Sequence, residues 1–173
     1  QAAKLRFMTG GQCNVPWVIR MPQGGGAGKS TAAQHSQSLE VWYAHIPGLK
    51  VVLPSTPYDA KGLMKAAIRD DNPVIVLEFK YLYRRIKGEV PEDDQVTPIG
   101  VGEIRRDGDD LSVITYGSTV HFALEAAERL SQQEGIEATI LDLRSLAPYD
   151  KDLVRHVVQR TGKALVVHED NVT

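Results

Sequence analysis

Apolar positions along the chain change spacing repeatedly, and each change marks a switch between strand and helix. Val15 to Arg20 is a short apolar run of strand length, followed by a Gly-rich stretch from Pro22 to Gly28. Residues 36 to 45 mix polar and aromatic side chains and read as a helix closed by Pro47-Gly48. Leu49 to Leu53 is a second strand, stopped by Pro54. Ser55 or Thr56 then offers a side-chain oxygen as helix cap, with Pro57 in the first turn, where its missing N–H costs nothing. Asp59 to Arg69 completes that helix, because Ala60, Leu63, Met64, Ala67 and Ile68 recur at helical spacing. Val74 to Glu78 is a third strand.

Residues 87 to 110 break the rhythm with Gly88, Pro91, Pro98, Gly100 and several acids. They read as a linker with one extended segment entering the next unit. The alternation then resumes: strand Leu111 to Tyr116, helix Ser118 to Gln133, strand Ala138 to Asp142, helix Asp150 to Thr161 capped by Asp150, and strand Ala164 to Val167. Val120, Ala123, Leu124, Ala127 and Leu130 share one face of the first of these helices. Strand–helix alternation in both halves predicts an α/β fold of two parallel-sheet units covered by helices: 1–86, a linker at 87–110, and 111–173.

Composition narrows the function classes. Hydrophobic residues make up 42% and charged residues 24%, which fits a globular domain, and a formal net charge of −2 gives no basic footprint for nucleic acid. No apolar run approaches the roughly 18 residues of a membrane span. The single cysteine, Cys13, has no partner for an internal disulfide, reads as structural, and fits a reduced compartment such as the cytoplasm. The chain opens on Gln1 without Met or leader and closes just after an apolar run. Both ends are read as boundaries inside a longer protein.

Gly24 to Thr31 looks at first like a phosphate-binding loop. The pattern G-x-x-x-x-G-K-[ST] needs its first glycine at position 23, which is Gln, and no acid-terminated apolar run nearby supplies a Mg²⁺ partner. A nucleoside triphosphate site is therefore set aside in favour of a loop that orders around a ligand or partner.

The titratable residues separate by context. His35 follows the Gly-rich loop, and imidazole exchanges protons near neutral pH. His45 precedes Ile46-Pro47-Gly48 and reads as a helix C-terminal residue. His121 and His156 lie on helices and read as surface groups, whereas His168 follows a strand, where α/β proteins place functional groups. Asp70 and Asn72 stand beside the carbonyl-bearing end of a helix. That arrangement suits either a hard cation or an ordinary Asp-Asn-Pro turn. Glu78 and the Tyr83-Arg84 pair read as subunit packing or a surface salt bridge, and Trp42, Tyr43, Leu63 and Met64 as core or interface.

Long ordered motifs add a resemblance. Ala33-Gln34-His35-Ser36-Gln37-Ser38, then Trp42 through Val52, then Pro54-Ser55-Thr56-Pro57-Tyr58-Asp59-Ala60-Lys61-Gly62-Leu63 and Ala67-Ile68-Arg69-Asp70-Asp71-Asn72-Pro73-Val74 resemble the β subunit of heterotetrameric E1 components. These are the thiamine-diphosphate-dependent pyruvate, branched-chain 2-oxo acid and acetoin dehydrogenases. Thr115-Tyr116-Gly117-Ser118 and Asp142-Leu143-Arg144-Ser145-Leu146-Ala147-Pro148 resemble the start of that subunit's C-terminal domain.

The resemblance implies the second half of a thiamine pyrimidine-binding domain followed by the first part of a transketolase C-terminal-like domain. It implies thiamine diphosphate with Mg²⁺ held mainly by an E1 α subunit in an α2β2 assembly, and contacts with E2 lipoyl and subunit-binding domains. It assigns His35 to the active site, near the reacting oxygen or in acyl transfer to lipoamide. It implies a structural K⁺ at Ala67, Ile68, Asp70 and Asn72, with a further carbonyl near Trp17. The glutamate that activates the cofactor lies upstream of the matching region, so the chain is expected to be inactive alone. The wording around Arg69-Asp70-Asp71-Asn72-Pro73 leans to pyruvate or acetoin over branched-chain substrates. The other readings are a non-catalytic assembly module and a single-chain transketolase-like enzyme. The Gln-His-Ser-Gln form and the short linker argue against the latter.

Overall fold

The protein is described from a computed structural model covering residues 1–25 and 33–169. Residues 26–32, which include all of the phosphate-loop lookalike after Gly24-Gly25, lie outside the described residues, as does the chain end from 170.

Two four-stranded sheets form the frame. The first uses β1 (Val18–Gln23), β2 (Lys50–Val52), β3 (Val74–Phe79) and β7 (Ser145–Ala147), in the order β1-β3-β2-β7. The second uses β4 (Glu103–Arg106), β5 (Leu111–Thr115), β6 (Ala138–Asp142) and β8 (Ala164–Val166), in the order β4-β6-β5-β8. Among the described residues, five α-helices accompany them: α1 (Ala2–Met8), α2 (Glu40–Ala44), α3 (Pro57–Ile68), α4 (Ser118–Glu134) and α5 (Lys151–Thr161).

The α/β expectation holds in both units, with one correction. Each sheet is mixed, since β4 runs antiparallel to β6 and β7 antiparallel to β2. The β7 strand arises in the second half of the chain but completes the first sheet, which stitches the two units together.

Alternation along β3 explains how the core forms. Val74 and Val76 point to one face and, with Val52, pack on Leu63 and Ala67 of α3. Ile75, Leu77 and Phe79 point to the other face and join Val51, Leu53, Ile114, Tyr116, Leu141, Leu143 and Val157 in a core shared by both units. A third cluster lies under α4, around Val113, Ala127, Ala138 and Ile140. The contact between units is close enough that Gly117, at φ +60°, has no room for a side chain: a Cβ there would sit 2.0 Å from the Phe79 ring.

Two local expectations shift. The first strand begins at Val18 rather than Val15, because Pro16 carries no N–H for the ladder, and it runs on through Pro22 to Gln23. Pro22 is tolerated because β1 is the sheet's edge strand. Residues 36–45 are not one helix. A 3₁₀ turn spans Ala33–His35 and α2 starts only at Glu40. Gly24 N donates to the Gln37 carbonyl at 2.8 Å, which ties the intervening segment to the end of β1 and off the helical path. The helix caps behave as expected: Thr56 accepts from Asp59 N at 3.1 Å, and Asp150 from Leu153 N at 2.9 Å.

Candidate functional site

Parallel strands place loops at their carboxyl ends, where α/β proteins assemble sites. Here β1 and β3 end side by side, with Gln23 opposite Phe79. The 3₁₀ turn carrying His35 lies against these ends, anchored by the Lys80 ammonium, which donates to the His35 carbonyl. A cavity of about 320 Å³ opens there, lined by Met21, Gln23, His35, Tyr43, Leu77 and Lys80 among others. His35 is exposed at its rim rather than buried in the core. The floor is apolar and the rim polar, an arrangement that holds a small organic group and orients it. No carboxylate stands among the described lining residues.

Four of the five residues expected to hold a cation, Ala67, Ile68, Asp70 and Asn72, lie at or just after the C-terminal end of α3, and the fifth, Trp17, immediately precedes β1. Asp70 Oδ1 accepts from Asn72 N at 2.9 Å and Asn72 Nδ2 at 2.8 Å. The Ala67 carbonyl accepts from Asp70 N, and Ile68 is the last residue of the helix. The Trp17 carbonyl lies alongside, accepting from Val74 N at 2.8 Å. Sequence reasoning overlooked Lys50, whose ammonium pairs with the second Asp70 oxygen. Burial pushes the Asp70 carboxyl up, but the bonds from Lys50 and Asn72 outweigh it, leaving it below the usual carboxylate range. Among the described residues, no three His, Cys, Asp or Glu side chains gather as a metal set.

The remaining histidines divide differently from expectation. His45 closes α2, and His156 is exposed. His121 is half-buried instead of superficial, because its Nε2 lies 2.8 Å from the Ser55 carbonyl across the junction. His168 stacks on Tyr116 at 6.2 Å between ring centroids. Glu78 binds Arg20 with both oxygens and accepts from the Tyr83 hydroxyl. Burial and then Glu78 push the Tyr83 phenol up to about 12. Cys13 is exposed rather than packed away.

Sequence reasoning also missed a buried charge network at the unit junction. Arg144, itself at φ 57°, donates to Asp59 at 3.0 Å, Glu103 at 2.9 Å, and the carbonyls of Val101 and Gly102 at 3.1 and 3.0 Å. Arg105 bridges Asp59 and Asp142, and Ser55 donates to Asp142. Burial pushes the Asp142 carboxyl up against the opposing bonds from Ser55 and Arg105. The only signal in the sequence was the pair of charges, Asp142 and Arg144, at the end of an apolar strand.

Two family models divide the chain close to the boundary between the two halves, with β7 crossing from the second half into the first sheet. The transketolase pyrimidine-binding domain matches residues 1–85, and the transketolase C-terminal domain matches residues 100–173. The 2-oxoisovalerate dehydrogenase subunit beta of Bacillus subtilis is 54% identical over 98% of this chain and 51% of its own length. The acetoin:2,6-dichlorophenolindophenol oxidoreductase subunit beta of Cupriavidus necator is 56% identical over 98% of this chain and 49% of its own. Over nearly its whole length the chain is similar to E1 β subunits. The pyruvate dehydrogenase E1 component subunit beta of Bacillus subtilis is 47% identical, again over 98% of this chain and 51% of its own length. The chain thus spans about half the length of the E1 β relatives it matches. Among solved structures, a split-gene transketolase described as an inactive β4 tetramer superposes with a TM-score of 0.74 at 25% identity, over 91% of this chain and 50% of that one. No described helix is long and apolar enough to cross a membrane.

Proposed function

We propose that this chain is the middle of an E1 β subunit that, with an E1 α partner, carries out thiamine-dependent decarboxylation of a 2-oxo acid or cleavage of acetoin, followed by acyl transfer to lipoamide. The observation that carries the reading is His35, exposed at the rim of an apolar-floored cavity at the carboxyl ends of β1 and β3. Thiamine diphosphate, when bound, supplies the electron sink for decarboxylation. In this proposal the residues lining the cavity would take its pyrimidine end, and the α subunit would hold its diphosphate with Mg²⁺. The cavity fits such a group, being apolar below and polar at the rim. In this proposal a glutamate of the parent β subunit upstream of this chain activates the cofactor.

The residues present then have distinct tasks. A ring nitrogen of His35 exchanges a proton with the reacting oxygen, or with the sulfur of the lipoyl acceptor, over the pH range where imidazole serves as both acid and base. Lys80 holds the turn that presents the ring. Met21, Leu77 and Tyr43 exclude water from the floor. The direct test is turnover of pyruvate, 2-oxoisovalerate and acetoin by the full-length parent mixed with a cognate α chain, thiamine diphosphate and Mg²⁺. An inert, correctly assembled mixture would sink the proposal. The domain reading, 1–86 and 111–173 joined by 87–110, belongs to it, as do contacts with an E2 lipoyl or subunit-binding domain and a cytoplasmic or matrix location.

The same proposal includes a structural K⁺ beside Ala67, Ile68, Asp70, Asn72 and Trp17. Helix-end carbonyls and one carboxylate suit a monovalent cation, and Lys50 competes for the Asp70 charge. Saturating K⁺ in place of Na⁺ should raise Tm by about 5 °C, from the linkage of ligand binding to folding. Lys50→Met should enlarge that difference. Identical melting in both salts, for both proteins, would remove K⁺ from the account.

A further inference from the structure

A buried amide in the cavity wall has a donor with nothing to bind. Gln23 is only 5% exposed, at the last position of β1. Its Oε1 accepts from Leu39 N at 3.4 Å, so the oxygen end is directed into the protein's own backbone. Its Nε2 is shielded from solvent and has no hydrogen-bond partner. Stranding a buried N–H costs stability, so buried donors are nearly always satisfied. Gln23 lines the same cavity as His35 and stands beside Phe79 in the sheet register. None of the acceptors in the cavity wall, on Gln34, Gln37 and Tyr43, takes this N–H. The donor is left for an oxygen acceptor that enters the cavity.

We infer that Gln23 Nε2 is the donor that recognises an oxygen of the 2-oxo acid, its carboxylate or its carbonyl, and so sets substrate preference in this cavity. The inference rests on the proposed E1 β reading and goes further by naming a specificity-determining residue. A neutral amide suits the role. It grips an oxygen without adding a fixed charge that would hold the carboxylate too firmly to leave. A site built around one donor discriminates sharply, because a ligand lacking the matching oxygen leaves that donor stranded. A long branched side chain reaching the same wall would separate the amide from its acceptor, which makes pyruvate the better fit.

The experiment uses the full-length parent with its α chain, thiamine diphosphate and Mg²⁺, comparing wild type, Gln23→Leu and Gln23→Glu with pyruvate and with 2-oxoisovalerate. Gln23→Leu removes the donor, and Gln23→Glu replaces it with an acceptor of the same shape. Both should raise KM for pyruvate by about 10-fold or more, with kcat changed by less than about 3-fold. The preference for pyruvate over 2-oxoisovalerate should fall in both. Gln23→Leu should melt close to the wild-type temperature, because removing the unpaired N–H offsets the lost bond from Leu39 N. A purely structural residue would show the opposite: lower Tm with KM unchanged. Unchanged KM and preference in both variants, in an assembly that His35→Ala still cripples, would overturn the inference while leaving the E1 β reading intact. A wild-type assembly that turns over neither acid would remove both.

Discussion

Replacing Arg144 with methionine should destabilise the chain by about 3–5 kcal/mol, the range seen when one partner of a buried ion pair is removed. The effect should be large because Arg144 is the hub of the junction. Its side chain is 9% exposed, and its partner Asp59 is fully buried. Methionine keeps much of the hydrocarbon contact but leaves Asp59 with fewer charge partners and strips donors from the Val101 and Gly102 carbonyls. It also keeps the left-handed backbone at φ 57° without the contacts that hold it there. Urea unfolding would measure the loss. Arg155→Met is the control: that arginine pairs with Asp152 at the surface, 64% and 90% exposed, and such pairs contribute about 1 kcal/mol or less. Equal, small losses in the two variants would mean that the junction network contributes no more than a surface pair.

The second large effect concerns chemistry. In the assembled parent, His35→Ala should lower 2-oxo acid turnover by about 100-fold or more, the usual contribution of a positioned acid–base group. Folding should be unaffected. His35 is exposed, and the contact that anchors its turn runs from Lys80 to its backbone carbonyl, which alanine retains. The measurement is steady-state turnover with an artificial electron acceptor and with a lipoyl domain, alongside Tm. Loss confined to the lipoyl assay would assign His35 to acyl transfer, and loss in both would assign it to decarboxylation. Wild-type rates in both assays would take His35 out of the chemistry.

How far the sequence alone could be read depended on the range of the interactions involved. Helix α3 was legible because everything that specifies it is local: the Thr56 cap, Pro57 in the first turn, and Leu63 and Ala67 one turn apart facing the sheet. The same holds for the Asp150 cap of α5. The β7 strand was not legible, since three residues carry no periodicity and their partners are on β2, roughly ninety positions earlier in the chain. The junction network was hidden for the same reason. Asp59 and Arg144 are 85 residues apart, and each looks like an ordinary surface charge until the fold buries both. At the candidate site, His35 was singled out through its motif. Gln23 was passed over because Pro22 suggested that the strand had already ended, whereas an edge strand accommodates proline. The Asp70 turn was placed correctly, but Lys50 was not foreseen, because a lysine opening a strand gives no hint of where its ammonium will reach.

The account depends on a cofactor pocket completed only when an α chain docks over the cavity beside His35. Calorimetric titration of thiamine diphosphate and Mg²⁺ tests this most directly, run against this chain, an isolated α chain, and the full-length parent assembled with α. The account predicts tight binding in the assembly and little or no heat with this chain alone. Tight binding by this chain in isolation would contradict it.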